Sequence, residues 1–277
     1  MLLPGVVDRH VHLGLVDRAA LADSPVVRVD DLGWDPVEAA AWRSAPPRGV
    51  EVRIAGPFHT AVGGYPTGRS WAPEASVRAI ASPGEARAAV DALLELRPAV
   101  VKIALNASMP LLDDATLEAI VASAHRLGLT AAVHAEGPGQ AERAIAAGAD
   151  VLVHVPWTDE LGADAIRAAA DLGMTWISTL AIHAGADRER AIRNAAAFAA
   201  HGGRLRYGTD MGNGPTPVGV NSEEIRLLGA TGLRGRALLD AVLEGPVALD
   251  GPDAEIESAD DLVAWLSAAR RADLSTP

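Results

Sequence analysis

The stretch Pro4-Gly5-Val6-Val7-Asp8-Arg9-His10-Val11-His12 sets the reading of the whole chain. Its apolar, β-branched residues predict a strand, and residues two apart on a strand point to the same side. His10 and His12 therefore face one centre. The strand ends in His-Val-His rather than opening into a Gly-x-Gly-x-x-Gly phosphate loop, which argues against a doubly wound nucleotide-binding sheet. Outward from this segment, β-branched or apolar runs alternate with stretches of helical period. The further strands are expected at 26–29, 50–55, 99–105, 129–134, 151–155, 174–180 and 204–209. Eight strand-helix units in about 240 residues predict an α/β fold of the (β/α)8 TIM-barrel type, with every strand C-terminus on one rim.

The helices carry start and stop signals. Ser82-Pro83-Gly84-Glu85 offers an N-cap serine, a first-turn proline and a reciprocal glutamate. Leu117, Ile120, Val121 and Ala124 fall at i, i+3, i+4 and i+7, a stripe suited to one face of a sheet, and Gly128 can stop that helix. Gly148, Gly173 and Gly202 close later helices in the same manner. A single domain over 1–277 is expected, with about 245–277 as a C-terminal extension that includes a helix near 260–271.

The chain has 277 residues, 49% hydrophobic and 22% charged, enough to bury a sizeable core. Its net charge of −12 is scattered, without the clustered basic face that nucleic acid requires. No cysteine is present, which removes disulfides, thiolate metal sites and thiol nucleophiles. No run approaches the ~20 apolar residues of a membrane span. A cytoplasmic protein acting on a small molecule is the expectation, with no nucleic-acid or membrane partner and with homo-oligomer formation left open.

Two histidines at i, i+2 at a strand end can both ligate one metal, or can be ordinary surface or core residues. Other candidate ligands recur at matching strand ends: Lys102, His134, His154 and Asp210. A histidine in an apolar run is more often a hydrogen-bonded core residue, so the joint placement, not any one residue, is the signal. Of 24 basic residues all but Lys102 are arginine. An ammonium is an unfavourable occupant of an apolar strand and repels a cation. A neutral lysine amine can instead add CO2 to give an anionic carbamate that bridges two metals, which arginine cannot do. The plain alternative is one leftover lysine placed in a strand by chance.

With these residues in view the chain resembles the amidohydrolase superfamily of metal-dependent hydrolases, from Pro4 to about Leu239. The Pro-Gly-x-x-Asp-x-His-x-His opening, the fourth-strand lysine, the fifth- and sixth-strand histidines and Gly208-Thr209-Asp210 look like its binuclear subtype. Val-Lys-Ile, His-Ala-Glu and the glycine-rich turn after the third strand look like the imidazolonepropionase-like and prolidase-like branches. The resemblance implies two divalent metal ions, zinc by preference. His10 and His12 would bind the deeper ion, His134 and His154 the outer one, and N6-carboxylated Lys102 would bridge them with a hydroxide. Asp210 would bind metal and act as general base. It further implies a hydrolase of an amide-type C–N bond, peptide-like or cyclic. Members usually carry a small β-sandwich domain, which is expected to be largely absent here because the opening motif begins at residue 4.

Substrate contacts are expected from the loop 56–71, which is long, aromatic and glycine-rich. His59 or Tyr65 could meet an oxyanion, while Arg69 is expected to be solvated. His183 and Glu136 are further substrate-binding candidates, and Trp157 is a candidate lining residue. Trp34, Trp42 and Trp176 read as packing residues, and His125 and His201 as structural. Three other readings remain: a lactone or ester hydrolase on the same site, a mononuclear heterocycle deaminase using Glu136 and Asp210, and a catalytically silent metal-binding barrel.

Overall fold

A computed structural model describes residues 1–272. β1 (Leu2–Val11), β2 (Val26–Asp31) and β3 (Glu51–Ile54) pair in parallel. A second, seven-stranded parallel sheet contains β4 (Phe58–Ala61), β5 (Val77–Ile80), β6 (Val100–Asn106), β7 (Thr130–Glu136), β8 (Val151–Leu152), β9 (Thr175–Ile177) and β10 (Arg204–Arg206). Its order is β10-β9-β8-β7-β6-β4-β5. All eight expected strands are present, several of them shorter than their apolar runs.

The expected closed barrel is found as two sheets, not one continuous ladder. At one seam Ala99 N donates to Ile54 O at 2.7 Å, and at the other Arg9 N reaches Tyr207 O at 3.2 Å and His12 N reaches Met211 O at 2.8 Å. Single hydrogen bonds therefore tie the sheets where ladders are interrupted. β11 (Leu243–Asp250) runs antiparallel to β1, and β12 (Arg270–Arg271) pairs with β11. The terminal helix expected to reach 271 stops at Ala268, because Arg270 and Arg271 enter this antiparallel edge.

The connecting segments hold α1 (Pro36–Ser44), α2 (Pro83–Ala92), α3 (Asp114–Arg126), α4 (Gln140–Ala146), α5 (Ala163–Asp171), α6 (Gly185–Ala200), α7 (Ser222–Ala230), α8 (Gly235–Val242) and α9 (Ala259–Ala268). Side-chain caps start several of them. Ser82 accepts from Glu85 N while the Glu85 carboxylate accepts from Ala81 N. Asp113 caps α3, and Ser258 with Asp261 forms a reciprocal capping box on α9. Gly128, with φ +69°, takes the left-handed conformation that ends α3. The stripe Leu117, Ile120, Val121 and Ala124 is buried as its period requires. No helix among the described residues is long and apolar enough to cross a membrane.

The core lies between the strands and this helical layer. Trp34, Trp42 and Trp176 are all buried in it. Trp176 on β9 stacks on Phe198 of α6 with ring centroids 3.9 Å apart. Trp176→Ala is expected to cost about 3–5 kcal/mol through lost burial and the cavity left behind. Denaturant unfolding checks this; a loss below about 1 kcal/mol would mean the helix closes over the gap.

Candidate active site

Asp8, His10 and His12 alternate along β1 and just past its end, so their side chains share one side. The Asp8 carboxylate is wholly buried. It accepts from Thr209 N at 3.0 Å, Thr209 Oγ1 at 2.5 Å and His10 N at 3.2 Å. Burial pushes its pKa up to about 7, against the lowering effect of these hydrogen bonds. The grip fixes the segment after β10, where Asp210 adopts φ +54° and turns its carboxylate to the cavity.

Each histidine is oriented by its second ring nitrogen. His10 Nδ1 lies 2.7 Å from Val153 O and His12 Nδ1 3.2 Å from Gly33 O. Carbonyl oxygens only accept, so both Nδ1 atoms carry the proton and both Nε2 lone pairs face inward. His154 Nδ1 meets Thr179 Oγ1 at 2.8 Å. His134 is the reverse case: its Nε2 is 3.1 Å from Glu136 Oε2, which leaves Nδ1 as the free nitrogen. Glu136 is itself held by Asn106 Nδ2 at 2.7 Å.

Asp210 Oδ1 stands 3.3 Å from His10 Nε2 and 3.3 Å from His12 Nε2. Burial lowers His10, His154 and His134, keeping their imidazoles neutral and able to donate lone pairs. Lys102 is 1% exposed, and burial brings its pKa down to about 7 although Asp210 and Asp31 oppose the change. Its Nζ lies 5.7 Å from the Phe58 ring centre.

These groups line one cavity of about 540 Å³ together with Tyr65, Trp157 and His183. Donor atoms of His10, His154 and Asp210 lie within 4.8 Å of one another. His10 Nε2 and Asp210 Oδ1 are buried without a hydrogen-bond partner. An inward lone pair opposite an ionised carboxylate is repulsive when left alone, and a cation between them removes the conflict. The donor set of imidazoles and carboxylate suits a divalent transition metal.

His59 is a correction. The segment 56–71 is not all loop: Phe58–Ala61 forms β4, buried throughout. Alternation then sends Phe58 into the cavity and His59 away from it. The His59 ring is buried with Nδ1 3.0 Å from Lys102 O, out of reach of a substrate in the cavity. Trp71, at the end of the expected substrate loop, and Asn213 line the cavity as well, as do Leu15 and Ile182, which no motif in the sequence marks. Asn213 Nδ2 donates to Asp210 Oδ2 at 2.8 Å, a contact that its place three residues after the aspartate makes possible.

Behind the site, Glu224 of α7 is fully buried and accepts from Leu180 N at 2.9 Å and Ala181 N at 2.7 Å. This fastens the turn carrying Thr179, itself at φ +42°. Burial raises the Glu224 carboxyl to about 7, against the lowering hydrogen bonds of Ser178, Leu180 and Ala181.

No family model matches the chain, and no curated protein matches it. Solved structures do. A Xaa-Pro dipeptidase crystallised with methionine in its active site aligns at 19% identity and TM-score 0.76, over 97% of this chain and 84% of that one. Phenylurea hydrolase B aligns at 14% identity and TM-score 0.74, over 100% and 87%. The A. niger ochratoxinase aligns at 16% identity and TM-score 0.70, over 97% and 80%. The chain therefore has the fold of these structures.

Two measurements probe the supports of this site. Thr179→Val removes the oxygen that orients His154, and titration with Zn2+ is expected to show roughly 10–100-fold weaker binding. Unchanged affinity would mean that the ring is held by packing alone. The Glu224 carboxyl, raised in the fold above its ordinary 4.5, binds more protons folded than unfolded between those values. Its stabilising contribution is complete below about 4.5 and is lost as pH rises through about 7. The stability of the parent relative to Glu224→Gln should therefore fall across that interval in denaturant melts at stepped pH.

Proposed function

We propose that this protein is a metal-dependent hydrolase of amide-type C–N bonds. One observation carries the reading: inward, partnerless His10 Nε2 and Asp210 Oδ1 share a cavity with the chain's sole lysine. The names of the similar structures, a dipeptidase, an ochratoxinase and a phenylurea hydrolase, support the same class of bond. We read the two sheets as a (β/α)8 barrel opened at two seams, with the cavity over the strand C-termini.

His10 and His12 would hold the deeper ion with Asp210, and His134 through Nδ1 and His154 through Nε2 the outer one. Divalent ions so held supply Lewis acidity and a source of hydroxide at neutral pH, zinc being the preferred ion for this donor set. Lys102, with its pKa near 7, keeps a neutral fraction at physiological pH. In that fraction the nitrogen lone pair forms a bond to the carbon of CO2, one N–H proton leaves to solvent, and the neutral amine becomes an anionic carbamate. Asp210 is the general base: Oδ1 faces the ion, Asn213 Nδ2 donates to and orients Oδ2, and the carboxylate takes a proton from attacking water and passes it to the departing amine. The deaminase reading needs a free Glu136, whereas that carboxylate is engaged by Asn106 and His134.

Metal per chain and turnover should be measured together on protein prepared in bicarbonate, across N-acyl amines, dipeptides and cyclic amides. Close to two metals and hydrolysis are expected, with both metal and at least 100-fold of the activity lost in Lys102→Ala, on the order of the loss expected when a metal nucleophile is disabled. Full activity of that variant would sink the carbamate, and one metal with ammonia release would restore the deaminase.

A further inference from the structure

The loop that follows β4 is wound tightly against the connection from β6 to α3. Gly64 N donates to Ala61 O at 2.8 Å, Thr67 N to Gly64 O at 2.9 Å and Arg69 N to Pro66 O at 3.0 Å. A Cβ at Gly64 would stand 2.3 Å from Thr60 Oγ1 and 2.8 Å from Pro110 O, so the loop approaches its neighbours more closely there than a side chain permits. Tyr65 follows directly, and this packing fixes it over the cavity. Its ring lies nearly parallel to that of His134, 17° apart with centroids at 5.1 Å.

The Tyr65 hydroxyl has no hydrogen-bond partner among the described residues, and it lies within electrostatic range of the Asp210 and Glu136 carboxylates. A phenol is a neutral donor at pH 7. Of the two residues from which the sequence led us to expect an oxyanion contact, His59 faces away from the cavity, and the amide of Asn213 is already spent on Asp210 Oδ2. Arg69 Cζ lies 5.8 Å from the Tyr65 ring centre, inside the reach of a cation–π attraction. No carboxylate pairs with Arg69 among the described residues; its other contact is Met109 Sδ at 3.8 Å. A cation over the ring both pins it and draws electron density from the phenol, which makes the hydroxyl a stronger donor.

We propose that the Tyr65 hydroxyl is the catalytic hydrogen-bond donor to the substrate's carbonyl oxygen as water attacks the carbonyl carbon, and that Arg69 acts through the Tyr65 ring as a positioning residue. As the bond from water oxygen to carbon forms, the π pair of the carbonyl moves onto its oxygen. The phenol keeps its proton and donates to the growing charge. Because the donor is in place beforehand and its hydrogen bond strengthens only as charge develops, its effect falls on kcat and not on KM. This rests on the hydrolase reading above.

Hydrolysis of 4-nitroacetanilide supplies a chromogenic assay. Tyr65→Phe, which keeps the stacked ring, should lower kcat about 100-fold, the order lost with one oxyanion donor, while KM stays within about twofold and metal content is unchanged. Arg69→Met should lower kcat about threefold in the parent and leave it unchanged in the Tyr65→Phe background. A Tyr65→Phe kcat within about threefold of the parent overturns the donor, and additive losses in the double-mutant cycle overturn the role of Arg69. Calorimetry separates this inference from the hydrolase reading. N-Phenyl methylphosphonamidate, with tetrahedral oxygens in place of the attacked carbonyl, should bind Tyr65→Phe about tenfold more weakly than the parent, whereas acetanilide should bind both equally. If no amide is turned over, the hydrolase reading is what fails, and the phosphonamidate still decides: equal or absent binding overturns the donor.

Discussion

The buried Asp8 carboxylate is the constraint on which the remainder depends. One seam between the sheets crosses β1 and the segment after β10, where few backbone hydrogen bonds are available. Asp8 spans it with two acceptor oxygens on Thr209 and a third contact to His10 N. The same contacts hold the backbone on either side of the reacting region, with His10 two residues after Asp8 and Asp210 one after Thr209. A buried carboxyl raised toward neutrality is costly, and satisfying it from three donors turns that cost into a fixed distance between two strand ends.

Orientation of the imidazoles obeys the same logic at smaller scale. Carbonyls of Val153 and Gly33 and the hydroxyl of Thr179 hold one nitrogen of each ring, so that the other points inward. Because the carbonyls belong to the segment after β8 and to the turn after β2, each ring reports the position of a strand other than its own. Local shifts of the sheet would therefore reach the donor geometry directly.

Much of this was legible in the sequence because period and end signals act locally. Val6 to Val11, Val100 to Leu105 and Thr130 to His134 carry the β-branched and apolar residues of a buried strand, and Ser82 and Asp113 mark helix starts by chemistry alone. The ligand candidates were readable because they sit at strand ends, where polar residues interrupt apolar runs. What was hidden depends on pairing at long range. Phe58–Ala61 has four residues and one ladder pair with β6, His59 with Ile103, so nothing local separates it from a loop. Missing that strand put His59 on the cavity side, where Phe58 lies instead. β12 is similar, since Arg270 and Arg271 are extended only because β11 lies beside them. Glu224 escaped notice for a different reason: in a helix its charge suggests solvent, and only the neighbouring turn explains its burial.

The chain's exclusive use of arginine outside Lys102 has a spectroscopic consequence. Guanidinium groups do not retain CO2, so apart from the α-amino group the protein offers a single nitrogen able to do so, and that nitrogen sits in the cavity. Isotope-enriched bicarbonate or lysine would thus mark one interior position against an almost silent background. The residue that distinguishes the site chemically would also report on the carboxylation proposed for it.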